Sequence, residues 1–375
     1  MQLSVVIPCL NEIDTIEKCV KKCIQTFENL KIETKAEVIV ADNGSTDGSI
    51  KVAENAGAKV INIKKKGYGN AIIGGVAHSQ GKFIIIGDAD DSYDFSKLGV
   101  FFNKLNDGYD IVQGCRFPVG GGSIEKSAMP LTHRYFGNPL FSIISKFFFS
   151  LPFNDVYCGY RGFRRDIFLE LKHFSGGMVF AIENLIKFKV YGAKCTEVPV
   201  ILHKDGRKKT KSHLKTISDG WKTLRFLLVT CPKWIYFFPS IILCFFSLYG
   251  FLEFFVSDFI IDTKNRYYSL IQSIIYMLLS FQIFMFGLFA SLFAVKLNLL
   301  KSKFIELFFK IFKLRYAFYS AFIFLLIFSI IISFKDELGF NILTIQIFKY
   351  SISLFTALLI LNSLYVSLIT LDENS

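Results

Sequence analysis

Three carboxylates within four residues are the part of this sequence best suited to chemistry. Asp88, Asp90 and Asp91 follow the apolar run Phe83–Ile86, with only Gly87 between the run and the first carboxylate. Two carboxylates about 4 Å apart repel by roughly 4 kcal/mol at an effective dielectric constant near 20, and a divalent cation removes that cost. The spacing therefore predicts either a metal site or an acidic turn with solvated side chains.

Short apolar runs that alternate with helical patterns must position these carboxylates. A run of four to eight apolar residues ending in a turn signal is typical of a buried strand in a parallel sheet. The predicted strands lie at 4–7, 37–41, 59–63, 83–86 and 109–114, with a last one at 194–200. Helical patterns separate the first five, so we predict a doubly wound α/β sheet. Ligands of such sheets bind beyond the carboxyl ends of the strands.

Polar loops follow the other predicted strands as well. They are P-C-L-N-E at 8–12, D-N-G-S-T-D at 42–47 and K-K-K-G-Y-G-N-A at 64–71. Backbone amides at a glycine-rich helix start suit phosphate, and adjacent lysines add positive potential, although these lysines could also form a solvated edge. Because the carboxyl ends of parallel strands share one sheet edge, we expect the loops and the carboxylates to surround one site.

Composition changes along the chain and predicts a membrane half. Hydrophobic residues make up 52% of the 375 residues, and phenylalanine becomes dense after about Phe226. Four segments, at about 234–256, 268–294, 316–334 and 343–370, are long and apolar enough to span a bilayer. Lysine in the second loop between them predicts a cytoplasmic catalytic domain and cytoplasmic termini. Eight cysteines without a CxxC pair predict reduced thiols.

A basic segment precedes the predicted spans. Residues 203–232 combine many lysines and arginines with an amphipathic second half, which is typical of a helix held at an anionic membrane surface. A nucleic-acid patch would look similar, but the adjoining apolar segments argue against nucleic acid as a partner. We therefore predict three parts: a catalytic domain over 1–202, this juxtamembrane segment, and a transmembrane domain over 233–375.

Several motifs together resemble a known family. V-V-I-P-C-L-N-E, A-D-N-G-S-T-D, K-G-Y-G-N-A and G-D-A-D-D-S-Y-D resemble, in this order and spacing, a family 2 glycosyltransferase of the GT-A fold. D-V-Y-C-G-Y-R-G-F-R-R, T-E-V-P-V and H-K-D-G-R resemble its dolichol- or polyprenyl-phosphate sugar synthase branch. The resemblance covers about residues 1–230. It implies a GT-A, Rossmann-like, mostly parallel sheet domain followed by a juxtamembrane helix and an all-α membrane domain of four helices.

The resemblance implies a nucleotide site and a metal site. The residues that would hold the base and ribose are Pro8, Leu10, Glu12 and Asp42, with Gly67 and Asn70 near the nucleotide. Asp88 and Asp90 would form the D-x-D motif, in which Asp90 binds Mg²⁺ or Mn²⁺ and bridges to the diphosphate. Many members have Gln where this chain has Ser92, so Asp91 becomes the candidate for a third protein ligand.

The resemblance also implies an acceptor side. Arg116 would meet a phosphate, and Arg134 would point a second cation toward a lipid phosphate from an amphipathic helix at 132–151. That helix could instead pack on the sheet. Asp155 and Arg161 would line the pocket between donor and acceptor, although any of these arginines could belong to a structural ion pair.

The predicted reaction moves one sugar, with inversion, from a UDP- or GDP-sugar to a polyprenyl phosphate at the cytoplasmic face of the cell membrane. A phosphate monoester, with a second pKa of about 6, is already anionic at neutral pH and needs little base. A hydroxyl acceptor would need a carboxylate base, for which Asp155 or Asp91 are candidates. A processive polysaccharide synthase, a nucleotidyltransferase and a catalytically silent membrane scaffold are the alternatives, and a homo-oligomer is compatible with all of these.

Overall fold

The chain divides into two compact units. The computed structural model describes residues 1–208, 216–256, 263–311 and 342–371, together with Tyr319. The first unit is Met1–Leu227 and the second is Leu228–Ser375. The first unit thus continues past residue 202, the end of the predicted catalytic domain, into the basic segment; Lys209, Lys211 and Lys215 of that segment lie outside the described residues.

Two sheets form the first unit. The strands are β1 (Leu3–Cys9), β2 (Ala36–Asp42), β3 (Lys59–Asn62), β4 (Phe83–Ile86), β5 (Ile111–Cys115), β6 (Ser123–Ile124), β7 (Arg161–Arg164), β8 (Cys195–Pro199) and β9 (Ile201–Leu202). The main sheet has the order β3-β2-β1-β4-β7-β5-β8, and β6 pairs with β9 separately. All pairs are parallel except those that β7 makes with β4 and β5. The prediction of an α/β, mostly parallel sheet is confirmed.

The predicted strands form within two residues of their expected bounds, because both faces of the sheet are covered. All four residues of β4 are buried, which explains why this strand appears in the sequence as a continuous apolar run. The antiparallel β7 was not predicted. Its sequence, R-G-F-R, has a charge at each end and only one large apolar residue. Its place between β4 and β5 comes from long-range pairing, which a local pattern does not report.

Helices cover the sheet and support the loops. They are α1 (Ile16–Asn29), α2 (Ser49–Asn55), α3 (Tyr68–His78), α4 (Leu98–Asn106), α5 (Asn138–Phe149), α6 (Arg165–Glu170), α7 (Phe180–Tyr191) and α8 (Thr216–Thr230). The face of α1 that carries Ile16, Val20 and Phe27 is buried at helical spacing. All eight cysteines of the chain are free, and most are buried.

The helix α5 turns its apolar side outward. Leu140, Ile143 and Phe147 are 53%, 62% and 57% exposed, whereas Ser142 and Ser145 are buried. A short π-helical turn, His133–Gly137, leads into it. Monomeric soluble proteins rarely expose contiguous apolar patches of this kind, so the outward face calls for a covering environment.

Helices make up the described part of the second unit. They are α9 (Phe238–Val256), α10 (Thr263–Lys296), α11 (Lys303–Ile311) and α12 (Ile342–Leu371). By length and composition, Lys233–Phe254 and Tyr267–Lys296 could each cross a membrane, which matches the first two predicted spans. The third predicted span, 316–334, lies outside the described residues apart from Tyr319. The fourth coincides with α12, whose apolar stretch in the described part, Gln346–Asn362, is shorter. A total of four spans stays a prediction.

Small residues, serine and glycine, let α9 and α10 pack closely. The hydroxyl of Ser247 donates to the carbonyl oxygen of Ser273 at 2.8 Å, and that of Ser280 donates to the carbonyl oxygen of Ser240 at 2.7 Å. Gly250 lies against the Ser273 side chain, where a Cβ would meet the hydroxyl at 2.1 Å. Small residues and interhelical hydrogen bonds of this kind are typical of helices that associate in lipid.

Candidate active site

A cavity of about 420 Å³ opens among the loops that follow the parallel strands. The predicted site residues that line it are Pro8, Leu10, Glu12, Gly67, Asp88, Asp90, Arg116 and Arg161. They come from the ends of β1, β4 and β5, from the start of α3, and from β7. Asn43 fastens the glycine-rich loop there, because its amide side chain donates to the carbonyl oxygen of Lys65 at 2.8 Å and accepts from the backbone N–H of Gly67 at 2.6 Å.

Two carboxylates face this cavity from the end of β4. Burial and, to a smaller extent, the charge of Asp90 raise the pKa of Asp88 to about 7. A hydrogen bond from the Tyr68 hydroxyl acts in the other direction and lowers it. A Cβ at Gly159 would lie 2.7 Å from the Asp88 carboxylate, so glycine is needed for that close approach. The backbone N–H of Ser92 donates to Asp90 at 3.1 Å and helps to orient it. The pair therefore carries a repulsion that a cation would relieve.

Arg207 also lines the cavity, and the sequence analysis did not predict it as a site residue. Its guanidinium donates to both carboxylate oxygens of Glu12, at 2.6 and 2.9 Å, and reaches Asp90 at 3.2 Å. The residue belongs to H-K-D-G-R, which the sequence analysis used only for the family resemblance, and its charge was counted in the basic juxtamembrane segment. That motif was the available signal. One guanidinium therefore holds together two residues predicted to serve the nucleotide and the metal.

Arg116, which also lines the cavity, forms a buried ion pair. Nε and Nη2 of Arg116 donate to the Asp155 carboxylate at 2.7 and 2.8 Å, and the backbone N–H of Arg116 donates to it at 3.1 Å. Asp155 is fully buried and does not line the cavity. Burial opposes the charge of Arg116, but the Asp155 carboxylate outweighs it and holds the pKa of the guanidinium well above its usual range. The geometry is that of a structural ion pair, which the sequence left as an alternative.

The family of the chain follows from its relatives. The model for glycosyl transferase family 2 matches residues 4–172. Over 166 residues the chain is 31% identical to a dolichyl-phosphate hexose transferase of Haloferax volcanii, an alignment that covers 44% of this chain and 69% of that protein. The chain belongs to glycosyltransferase family 2. Asp88 and Asp90, the predicted D-x-D pair, lie within the residues that this family model matches.

Two further comparisons cover more of this chain. The low-salt glycan biosynthesis hexosyltransferase Agl6 of Haloferax volcanii is 34% identical over 239 residues, which are 64% of this chain but only 56% of that protein. Among solved structures, glucosyl-3-phosphoglycerate synthase from Mycobacterium tuberculosis, in complex with Mn²⁺, UDP and phosphoglyceric acid, aligns with a TM-score of 0.49 at 21% identity. That alignment covers 61% of this chain and 78% of the synthase.

Two predicted nucleotide residues do not line the cavity. The carboxylate of Asp42 accepts from the backbone N–H groups of Gly44 and Ser45 at 2.9 and 3.1 Å, which closes the turn after β2. The side-chain amide of Asn70 donates to the carbonyl oxygen of Lys66 at 2.9 Å, within the glycine-rich loop. Both residues shape loops that carry lining residues, and their direct contact with a nucleotide stays a prediction.

Asp91 and Arg134 also lie away from the cavity. Asp91 has a φ of 59°, and its carboxylate forms ion pairs with Lys18 and with Lys22, the latter at 2.8 Å. The left-handed backbone turns this side chain toward α1, whereas Asp88 and Asp90 face the cavity. Arg134 lies in the turn before α5, with its guanidinium 5.6 Å from the centre of the Tyr135 ring. Neither side chain lines the cavity that Asp88 and Asp90 face.

The donor set of the cavity fits a hard divalent cation bound together with a substrate. Among the residues that the structure describes, no group of three or more His, Cys, Asp and Glu side chains is arranged to hold a metal ion. Mg²⁺ is usually bound through one or two carboxylates, with substrate phosphates and water completing its shell. Asp88 and Asp90 match that pattern, and Asp91 as a third protein ligand stays a prediction.

Proposed function

We propose that this chain is a metal-dependent, inverting glycosyltransferase that moves one sugar from a UDP- or GDP-sugar to a polyprenyl phosphate at the cytoplasmic face of the cell membrane. The observation that carries the proposal is the D-x-D pair, Asp88 and Asp90, in a cavity that Arg116 and Arg161 also line; the two pairs are called here the carboxylate side and the arginine side. A relative named dolichyl-phosphate hexose transferase supports a lipid phosphate as the acceptor.

The carboxylate side would receive the donor. Asp88 and Asp90 would hold Mg²⁺ or Mn²⁺, which when bound neutralises the departing nucleoside diphosphate. Pro8 and Leu10 line the same side and offer apolar contact to a nucleoside. Arg207, already within reach of Asp90, would hold a phosphate oxygen through the bidentate geometry that guanidinium groups favour.

The arginine side would receive the acceptor. A phosphate monoester is already an anion at neutral pH, so the protein has to stabilise charge more than to remove a proton. Asp155, the candidate base for a hydroxyl acceptor, is fully buried and held by Arg116. Because the Asp155 carboxylate is buried and paired with Arg116, it is poorly placed to act as a base, which favours a phosphate acceptor over a hydroxyl acceptor. Arg134 would meet the lipid phosphate from the turn before α5.

The membrane assignment rests on two separate features. The first is the pair of apolar segments, Lys233–Phe254 and Tyr267–Lys296. The second is the outward apolar face of α5, together with Trp221 of α8, which is 64% exposed. An amphipathic helix at a membrane surface would bury such residues at the headgroup boundary. We propose an integral membrane protein of four spans, with the first unit and both termini in the cytoplasm.

A transfer assay tests the proposal. The full chain, purified in detergent, is incubated with Mg²⁺, undecaprenyl phosphate or dolichyl phosphate, and radiolabelled UDP- and GDP-sugars in turn. We expect organic-extractable label with one donor, and loss of that label in Asp90→Ala. Bound nucleotide without labelled lipid for any donor would contradict the proposal, and label in a long polymer would indicate the processive alternative.

A further inference from the structure

Arg161 is a buried cation whose hydrogen-bond partners are all neutral. Its side chain is 1% exposed and lies in the cavity wall. Nε donates to the side-chain oxygen of Gln113, and Nη1 donates to the side-chain oxygen of Asn184 at 2.7 Å and to the carbonyl oxygen of Ala181 at 3.0 Å. Among the described residues no carboxylate forms an ion pair with it. The nearby carboxylate of Asp155 is already held by Arg116.

The surrounding residues keep this arrangement in place. The side-chain amide nitrogen of Gln113 donates to the carbonyl oxygens of Asp155 and Cys158 at 2.8 and 3.0 Å, so its oxygen must point at Arg161. Asn184 shares a hydrogen bond with His173 at 3.0 Å on its other side. Both amides are fully buried. Their orientations are therefore determined by contacts that do not involve the cavity.

Burying a charge without a counter-charge is costly, so such an arrangement calls for a compensating function. Burial lowers the pKa of Arg161 to about 10, which still leaves the guanidinium protonated at neutral pH. Neutral acceptors satisfy its N–H groups but do not cancel its charge. A carboxylate at either amide position would cancel it, as Asp155 does for Arg116. The charge of Arg161 is therefore left to act on whatever enters the cavity.

We propose that Gln113 and Asn184 are positioning residues that keep Arg161 uncompensated, so that its charge draws a phosphate oxyanion of a substrate into the cavity. The inference rests on the proposed function, because either the donor diphosphate or the lipid phosphate could supply that oxyanion. In a buried setting with a low effective dielectric constant, such a charge acts over several ångströms and does not need direct contact.

Two substitutions at Asn184 separate charge from structure. Asn184→Asp is nearly isosteric, keeps an acceptor for Nη1 and adds the missing counter-charge. Asn184→Ala removes the acceptor and leaves the charge uncompensated. We expect Asn184→Asp to melt at the wild-type temperature or above but to lose about tenfold or more in affinity for a phosphate ligand. We expect Asn184→Ala to melt lower while keeping affinity within about threefold. A purely structural role predicts that affinity follows melting temperature in both variants.

Calorimetry on the full chain in detergent provides the measurement. UDP and GDP with Mg²⁺ probe the donor diphosphate, and citronellyl phosphate probes the lipid phosphate, so the arm that loses affinity identifies the source of the oxyanion. Asn103→Asp adds the same charge on the exposed side of α4 and should change neither arm. If Asn184→Asp does not fold, Gln113→Glu compared with Gln113→Met places the counter-charge at Nε instead.

The outcomes separate this inference from the proposed function. Unchanged affinity of the carboxylate variant in every arm would overturn the role of Arg161, and so would a wild-type chain that binds none of the three probes. A wild-type chain that binds the probes and loses affinity in the carboxylate variant, yet transfers no sugar, would overturn the proposed function and leave the role of Arg161 standing.

Discussion

The two sides of the cavity are charged in opposite senses. On the carboxylate side, the guanidinium of Arg207 forms ion pairs with Glu12 and Asp90, whereas Asp88 has no ion-pair partner among the described residues. On the arginine side, Asp155 pairs with Arg116, whereas Arg161 has no carboxylate partner among the described residues. Asp88 on one side and Arg161 on the other are thus the groups that these ion pairs leave unmatched. We expect a cation to complete the first side and a phosphate to complete the second.

The largest expected effect comes from changing the carboxylate side. Asp90→Asn removes the charge that would hold the metal but keeps the side-chain shape, so we expect transfer to fall by at least about 100-fold. The labelled-lipid assay measures it. Asp91→Asn is the matched control one residue along, because its carboxylate faces Lys18 and Lys22, and should stay within about threefold of wild type. Equal losses in both variants would make Asp91 a ligand after all.

The arginine side should respond in stability. Asp155→Asn leaves Arg116 buried without a counter-charge, and removing one partner of a buried pair costs about 3–5 kcal/mol. We expect a clearly lower melting temperature of the full chain in detergent, followed by circular dichroism. The double variant Arg116→Met, Asp155→Leu removes both charges and should recover much of that loss. If the double variant melts no higher than the single one, the pair matters for its shape and not for its charge.

Arg207 provides a smaller test of the carboxylate side. Arg207→Gln removes a cation that competes for Asp90, so we expect Mn²⁺ to reach half-saturation at a concentration about threefold lower, while the KM for the sugar nucleotide rises several-fold. Titrations of transfer activity against each component measure both quantities. Lys208→Gln is the control, because its side chain is exposed and its backbone N–H, which the substitution keeps, donates to Asp14. An unchanged Mn²⁺ requirement would place Arg207 outside the metal site.

Much of the fold could be predicted from local patterns, and the part that could not depends on long-range contacts. The strand β4 and the D-x-D pair after it are visible because burial on both faces demands a continuous apolar run. The strand β7 has no such run, and its pairing is decided by strands far away in sequence.

The candidate site divides in the same way. Asp88 and Asp90 could be identified from their motif, but adjacency did not reveal that the backbone at Asp91 turns its side chain toward α1. Arg207 lies among lysines and arginines in the sequence, so charge counting grouped it with the basic segment, whereas its guanidinium contacts Glu12 and Asp90. The fold places the Asp155 carboxylate beside Arg116 and not beside Arg161. A local sequence pattern does not predict which of the two arginines receives that carboxylate.

The antiparallel strand β7 also sets a distance. Neighbouring strands lie about 4.8 Å apart, so inserting β7 between β4 and β5 separates the ends of those two strands by about 10 Å. Asp88 follows the end of β4 and Arg116 follows the end of β5, so the two residues do not follow adjacent strands. One inserted strand therefore acts as a spacer between the two strand ends that Asp88 and Arg116 follow.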